Sequence, residues 1–176
     1  VSPEFLRRNQ TTITLVNLPG ELDLSAPSEP PFFSVEADGC NLSGYADNSF
    51  HIVHSNSVIE HVGSWASMVR FAGEVRRLAP NYYVQTPNFW FPIEPHFMKP
   101  FFHFLPRPVQ AALVRRFNLG HFVKATSTGD ALLKVEGINL LDRRMLRELF
   151  PDATLITEKC WLLTKSLTAY RESDAS

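Results

Sequence analysis

The stretch SFHIVHSNSVIEHVGSW, Ser49 to Trp65, decides how the rest of the chain is read. Phe50, Ile52 and Val53 form a short apolar run, Ser55, Asn56 and Ser57 stop it, and Val58-Ile59-Glu60-His61-Val62 restarts at once. A run of this length bounded by small polar residues reads as a buried strand over Phe50 to His54. Ligands of open parallel sheets sit outside the carboxyl ends of the strands. A strand that ends in small residues lets a ligand approach its backbone, and the glutamate and histidine that follow supply chemistry beside it.

Working outward, Thr11 to Leu18 (TTITLVNL) is a β-branched run closed by Pro19-Gly20, and Phe32 to Ala37 (FFSVEA) is a second strand closed by Asp38-Gly39. A loop rich in proline, serine and acid joins them. Ser64 to Leu78 carries Trp65, Met68, Val69, Ala72, Val75 and Leu78 at helical spacing, with Ser64 as cap and Pro80 just past the end. Asn81 to Gln85 is a fourth strand, Val109 to Phe117 a short helix, and Leu140 to Phe150 a helix capped by Asp142. Thr154 to Trp161 and Thr164 to Tyr170 are close enough to pair as a hairpin. Strands alternating with helices predict an α/β, Rossmann-like open mainly parallel sheet with a C-terminal antiparallel hairpin, in a single domain.

Composition narrows the function classes. The 17 Lys and Arg against 18 Asp and Glu leave a formal charge of -1, without the basic field that nucleic-acid binding draws on. Cys40 and Cys160 lack metal or redox spacing and read as reduced thiols. The first ten residues are charged without an apolar centre, and no run approaches the roughly 18 apolar residues of a membrane span. The expectation is a soluble, cytoplasmic protein with no transmembrane segment and a small-molecule substrate. Of the 14 Phe and 13 Pro, six of each cluster in TPNFWFPIEPHFMKPFFHFLPRP, Thr86 to Pro108. This aromatic and proline-rich insert, at about residues 87–122 of a domain spanning 1–176, reads as a substrate pocket or lid with Glu94, His96 and His103 as its polar groups, or as a homodimer interface.

The strand ends carry the site. Asn17 suits ribose hydroxyls, Asp38 can accept from an adenine amino group, and Gly39 leaves room for the base. In this order the chain has TLVNLPGEL, VEADGCNLSGYADNSFHIVHSNSVIEHVGSW and EVRRLAPNYYVQTPN, and Asp47 to Val62 follows the pattern D-x-S-F-D-x-V-x-x-x-x-V-L-E-H-V. With these residues it resembles the class I S-adenosylmethionine-dependent methyltransferases of the small-molecule type. The resemblance implies S-adenosylmethionine as cofactor, held by Asn17, Asp38, Gly39, Cys40, Ser55, Asn56 and Ser57. It also implies methyl transfer to a small-molecule or lipid-like acceptor by direct in-line displacement. That chemistry needs no metal, and His61 and His96 are the candidate catalytic bases.

The sequence departs from the family at His51, where an aspartate is usual, and at Asn17, where an acid is usual. The family's glycine-rich turn after its first strand would lie upstream of Ser2 to Arg8, which reads as the helix following such a turn. The sequence is therefore read as lacking an amino-terminal strand and loop. That departure keeps open a catalytically inactive methyltransferase-like domain acting as an interaction module. A nicotinamide-dependent oxidoreductase is the weaker alternative, since no Gly-x-Gly-x-x-Gly is visible.

Overall fold

A computed structural model describes residues 2–20 and 31–173. The proline- and acid-rich loop after Pro19-Gly20 lies almost wholly outside the described residues. Helix α1 (Pro3–Arg8) begins where the Ser2 hydroxyl accepts from Phe5 N at 3.3 Å. Strands β1 (Ile13–Asn17) and β2 (Phe32–Glu36) pair in parallel, Ile13 opposite Phe32 and Asn17 opposite Glu36. Strand β3 (Ile52–Asn56) runs parallel to β4 (Asn81–Pro87), with α2 (Trp65–Leu78) as the crossover. Ser64 caps α2 as the sequence predicts, its hydroxyl accepting from Ser67 N at 3.2 Å.

The insert holds the short pair β5 (Ile93–Glu94) and β6 (Lys99–Pro100), followed by α3 (Arg107–Arg116) and α4 (Thr128–Glu136). Helix α5 (Arg143–Leu149) leads into the hairpin β7 (Thr154–Cys160) and β8 (Leu163–Arg171). Strand β8 lies between β4 and β7, antiparallel to both, which gives the order β3-β4-β8-β7 beside the separate pair β1-β2. The Rossmann-like α/β arrangement with its C-terminal antiparallel hairpin is the one expected, and the four-stranded sheet is mixed, with β3-β4 parallel and β4-β8 and β8-β7 antiparallel. Among the described residues β1 pairs only with β2 and β3 only with β4.

Two apolar clusters hold the elements. In the first, Met68, Phe71, Ala72 and Val75 of α2 meet Tyr82 and Val84 of β4, with Leu146, Leu149 and Phe150 around α5. In the second, Phe97 and Phe102 of the insert meet Ala111 and Val114 of α3 and Ala131 and Val135 of α4. The insert thus has a core of its own, with the Phe97 ring tilted 4.3 Å from Phe102 and stacked 4.7 Å from Phe122. No described helix is long and apolar enough to cross a membrane.

Three local expectations are corrected. The third strand starts and ends two residues later than expected, so Ser55 and Asn56 lie inside it. It is not buried along its length, since Ile52 is 60% exposed and only Ser55 is fully covered. Among the described residues it pairs on one side alone, with β4. Helix α4, capped by the Ser127 hydroxyl at 3.0 Å from Asp130 N, was not expected at all. Asp142 caps α5 as expected, one carboxylate oxygen accepting from Arg144 N at 2.8 Å and Met145 N at 2.9 Å. Asp142→Ala is expected to cost about 1 kcal/mol in a denaturant melt, and an unchanged midpoint would remove the cap from the account.

Candidate active site

The chain turns sharply after β3. Ser57 has φ 53, the left-handed region that a non-glycine residue rarely occupies, and its N–H donates to the Gln85 carbonyl at 3.0 Å. The one-turn helix Ile59–His61 follows. It buries Ile59 and Glu60 completely and leaves His61 exposed. Asn139 N donates to the Glu60 carbonyl at 2.8 Å, tying this turn to the segment before α5.

The turn between β5 and β6 brings the insert to the same place. The Glu94 carboxylate accepts from His96 Nδ1 at 2.6 Å and from Phe97 N at 2.6 Å. Burial pushes the Glu94 carboxyl up, but these donors outweigh it and hold the group below its ordinary value. His96 shows the matching shift. Burial lowers its pKa, the Glu94 hydrogen bond and the Glu94 and Glu60 charges raise it, and the net direction is upward. The imidazole therefore sits in an anionic pocket.

The other face of His96 meets His61. Their Nε2 atoms are 3.0 Å apart with the rings edge to face, and His61 Nδ1 lies 3.1 Å from the Gly137 carbonyl. A carbonyl and a carboxylate only accept, so both Nδ1 atoms carry a proton; with both rings neutral the two Nε2 atoms present lone pairs to each other, and one added proton is shared between them. Glu60 lies beneath them: Oε2 accepts from the Thr86 hydroxyl at 2.9 Å, while buried Oε1 has no partner.

A cleft of about 840 Å³ opens beside this cluster. It runs from Asn56 and Ser57 past Gln85 and Asn88 to His96 on the insert, with Ile156 and Thr168 of the hairpin on its far side. The two expected catalytic histidines and the expected β3 ligands thus converge. Ser55 lies at the same strand end, its buried hydroxyl without a partner. Asn17, Asp38, Gly39 and Cys40 stand apart from the cleft lining, at the end of the β1-β2 pair.

Those four residues have local roles as well. Asp38 Oδ1 accepts from Cys40 N at 2.8 Å, and a side chain at Gly39 would meet the Phe71 ring at 3.2 Å. Cys40 is buried with its thiol 3.4 Å from the Ser67 carbonyl, and burial together with Asp38 pushes that thiol's pKa up. His103 is set away from the cleft: its Nε2 donates to the Phe89 carbonyl at 2.8 Å among Phe89 and Phe104. Thr86, Gly120 and Gly137 support the site and were not expected. Their roles are backbone or neighbour contacts, which residue type does not signal.

Comparison with known proteins reports on the fold. A protein from Rhodobacter sphaeroides provisionally named a Zn-dependent alcohol dehydrogenase matches with a TM-score of 0.61 at 11% identity, over 96% of this chain and 78% of its own. An O-methyltransferase family protein from Burkholderia thailandensis matches at 0.55 and 12% identity, over 98% of this chain and 48% of its own. A provisionally named O-methyltransferase from Nostoc punctiforme matches at 0.51 and 9% identity, over 95% and 46%. The chain shares its fold with these O-methyltransferases. It spans about half the length of each of the two. At such identities the likeness is one of fold, and the chemistry is argued from the site. No protein-family model and no curated protein matches the sequence.

Proposed function

We propose that the protein transfers a methyl group from S-adenosylmethionine to a small-molecule or lipid-like acceptor by direct in-line displacement. The observation that carries this reading is the cleft that joins the β3 end to the aromatic insert and to His96, the partner of His61. The β3 end fits a ligand of this class. Ser55 Oγ is a buried hydroxyl without a partner, and Ser57 holds a left-handed backbone that exposes the strand end. Asn17, Asp38, Gly39, Cys40, Ser55, Asn56 and Ser57 are the residues proposed to hold the cofactor, which supplies a methyl group on a positively charged sulfur.

The chain's own part is orientation and proton handling. Phe91, Ile93 and Met98 give the cleft an apolar wall that seats the acceptor and sheds water. When an acceptor hydroxyl becomes an ether its proton must leave, and the facing Nε2 lone pairs of His61 and His96 take it. Glu94 stabilises the imidazolium that results. The insert also exposes apolar surface, with Trp90 63% and Phe101 59% exposed, which favours an acceptor with an apolar portion.

Calorimetric titration of S-adenosylhomocysteine into the full-length protein tests the reading. One equivalent is expected to bind, and Ser55→Val is expected to weaken it roughly 3- to 10-fold through one lost hydrogen bond. No binding to the unaltered protein refutes the reading, and unchanged affinity in Ser55→Val takes that hydroxyl out of the site.

A further inference from the structure

Two imidazoles that both point bare lone pairs at each other across 3.0 Å repel unless a cation lies between them. The partners of their Nδ1 atoms impose this arrangement: Gly137 O on His61 and the Glu94 carboxylate on His96. A buried carboxylate completes the set. Glu60 is 0% exposed, its Oε1 has no hydrogen-bond partner among the described residues, and it offers an oxygen that lies with the two imidazole nitrogens inside 4.8 Å. Burying a carboxyl oxygen with no partner is costly unless a donor or a cation is supplied.

We propose that Glu60, His61 and His96 form a binding site for a divalent first-row transition ion of the zinc type, with its open position facing the cleft. Two imidazoles and one carboxylate form a borderline ligand set that suits such ions and leaves a fourth position for a ligand. Zinc to nitrogen bonds of about 2.0–2.1 Å place tetrahedral nitrogens about 3.3 Å apart, so the pair needs only a slight opening from 3.0 Å. The outer contacts match those of a metal site. His96 donates to a carboxylate, His61 to a backbone carbonyl, and Glu60 accepts from the Thr86 hydroxyl, which fixes each ligand's tautomer or orientation.

The site also has a rigid floor. Gly120 packs so tightly on the insert turn that an added Cβ would lie 2.4 Å from the His96 carbonyl oxygen. His121 N donates to that same oxygen at 3.0 Å. His96 lines the cleft and His61 is exposed, so an ion bound between them is accessible to an acceptor's oxygen. A hydroxyl bound there loses its proton more readily, because the ion stabilises the oxyanion, and with both Nε2 atoms on the ion that proton passes to water in the open cleft. The ion and the proton described above are thus alternative occupants of the same two lone pairs. Metal binding itself does not depend on the methyl-transfer reading.

The test uses tag-free, chelator-dialysed full-length protein, with Zn²⁺ followed by calorimetry and Co²⁺ by its visible absorption. One equivalent is expected to bind with a Kd in the micromolar range or below, and Co²⁺ is expected to show the intense bands of a low-coordinate site that Zn²⁺ displaces. His61→Ala and His96→Ala should each weaken binding at least 100-fold, Glu60→Gln at least 10-fold, and Glu94→Gln about 10- to 100-fold through loss of the outer contact. His61 is exposed, so its variant decides the matter even if the buried Glu60 variant fails to fold. Absence of binding at millimolar Zn²⁺, or binding indifferent to His61→Ala, overturns the proposal. S-adenosylhomocysteine titrated into the same metal-free sample separates the two readings. Its binding without any Zn²⁺ site removes the metal alone, and Zn²⁺ binding without it removes methyl transfer alone.

Discussion

Glu94→Ala is expected to destabilise the protein by about 3 to 5 kcal/mol, the cost of breaking a buried charge pair by removing one partner. The Glu94 side chain is 1% exposed and that of His96 19%. Alanine at 94 strands the Phe97 N–H and leaves the His96 Nδ1–H without its acceptor. The effect has a pH window. Glu94 is depressed below 4.5, so its contribution is complete above that value and fades as pH falls through the depressed one. His96 is raised above 6.5, so its contribution is complete below that value and fades as pH rises through the raised one. The stability gap between the native protein and Glu94→Ala should therefore be widest between 4.5 and 6.5. Urea melts from acid to mildly alkaline pH measure it, and a gap that does not vary with pH would show that the ion pair is not its source.

Gly120→Ala is expected to cost about 2 to 4 kcal/mol and to disable the histidine pair. Gly120 has φ 54, where a side chain costs about 1 to 2 kcal/mol, and its added Cβ would meet backbone rather than a yielding side chain. The contacts are His96 O at 2.4 Å, Phe97 C at 2.6 Å and Met98 N at 2.9 Å. Relief requires the insert turn to move, which carries His96 away from His61. Thermal melts and Zn²⁺ calorimetry on the same variant check both parts. A variant with native stability would show that the turn yields freely.

Local signals in the sequence proved readable where the physics is local. Ser64 and Asp142 satisfy the first N–H groups of α2 and α5, a role that depends on residue type and position alone. The hairpin and the parallel pairs followed from apolar runs and turn residues. Helix α4 was missed because its apolar face packs on α3 and the insert, a neighbour that composition made look like a loop. The β3 boundaries slipped because Ser55 and Asn56 are poor strand formers held in place by Val84 and Gln85 beside them.

Glu60, His61, Glu94 and His96 were all conspicuous as residues, but their relation was not. His61 and His96 are separated by 34 intervening residues, and no spacing rule links them. The meeting depends on the one-turn helix after β3, the turn between β5 and β6, and the Gly120 backbone that wedges it. By itself the sequence determined the α/β class, the helix caps, the order of strands along the chain and the chemical types at the strand ends, because these rest on short-range preferences. Tertiary structure alone decided that Glu60 is buried with an unmatched oxygen and that two imidazoles face each other with bare nitrogens. Burial and tautomer are set by neighbours distant in sequence, and only folding brings those neighbours within reach.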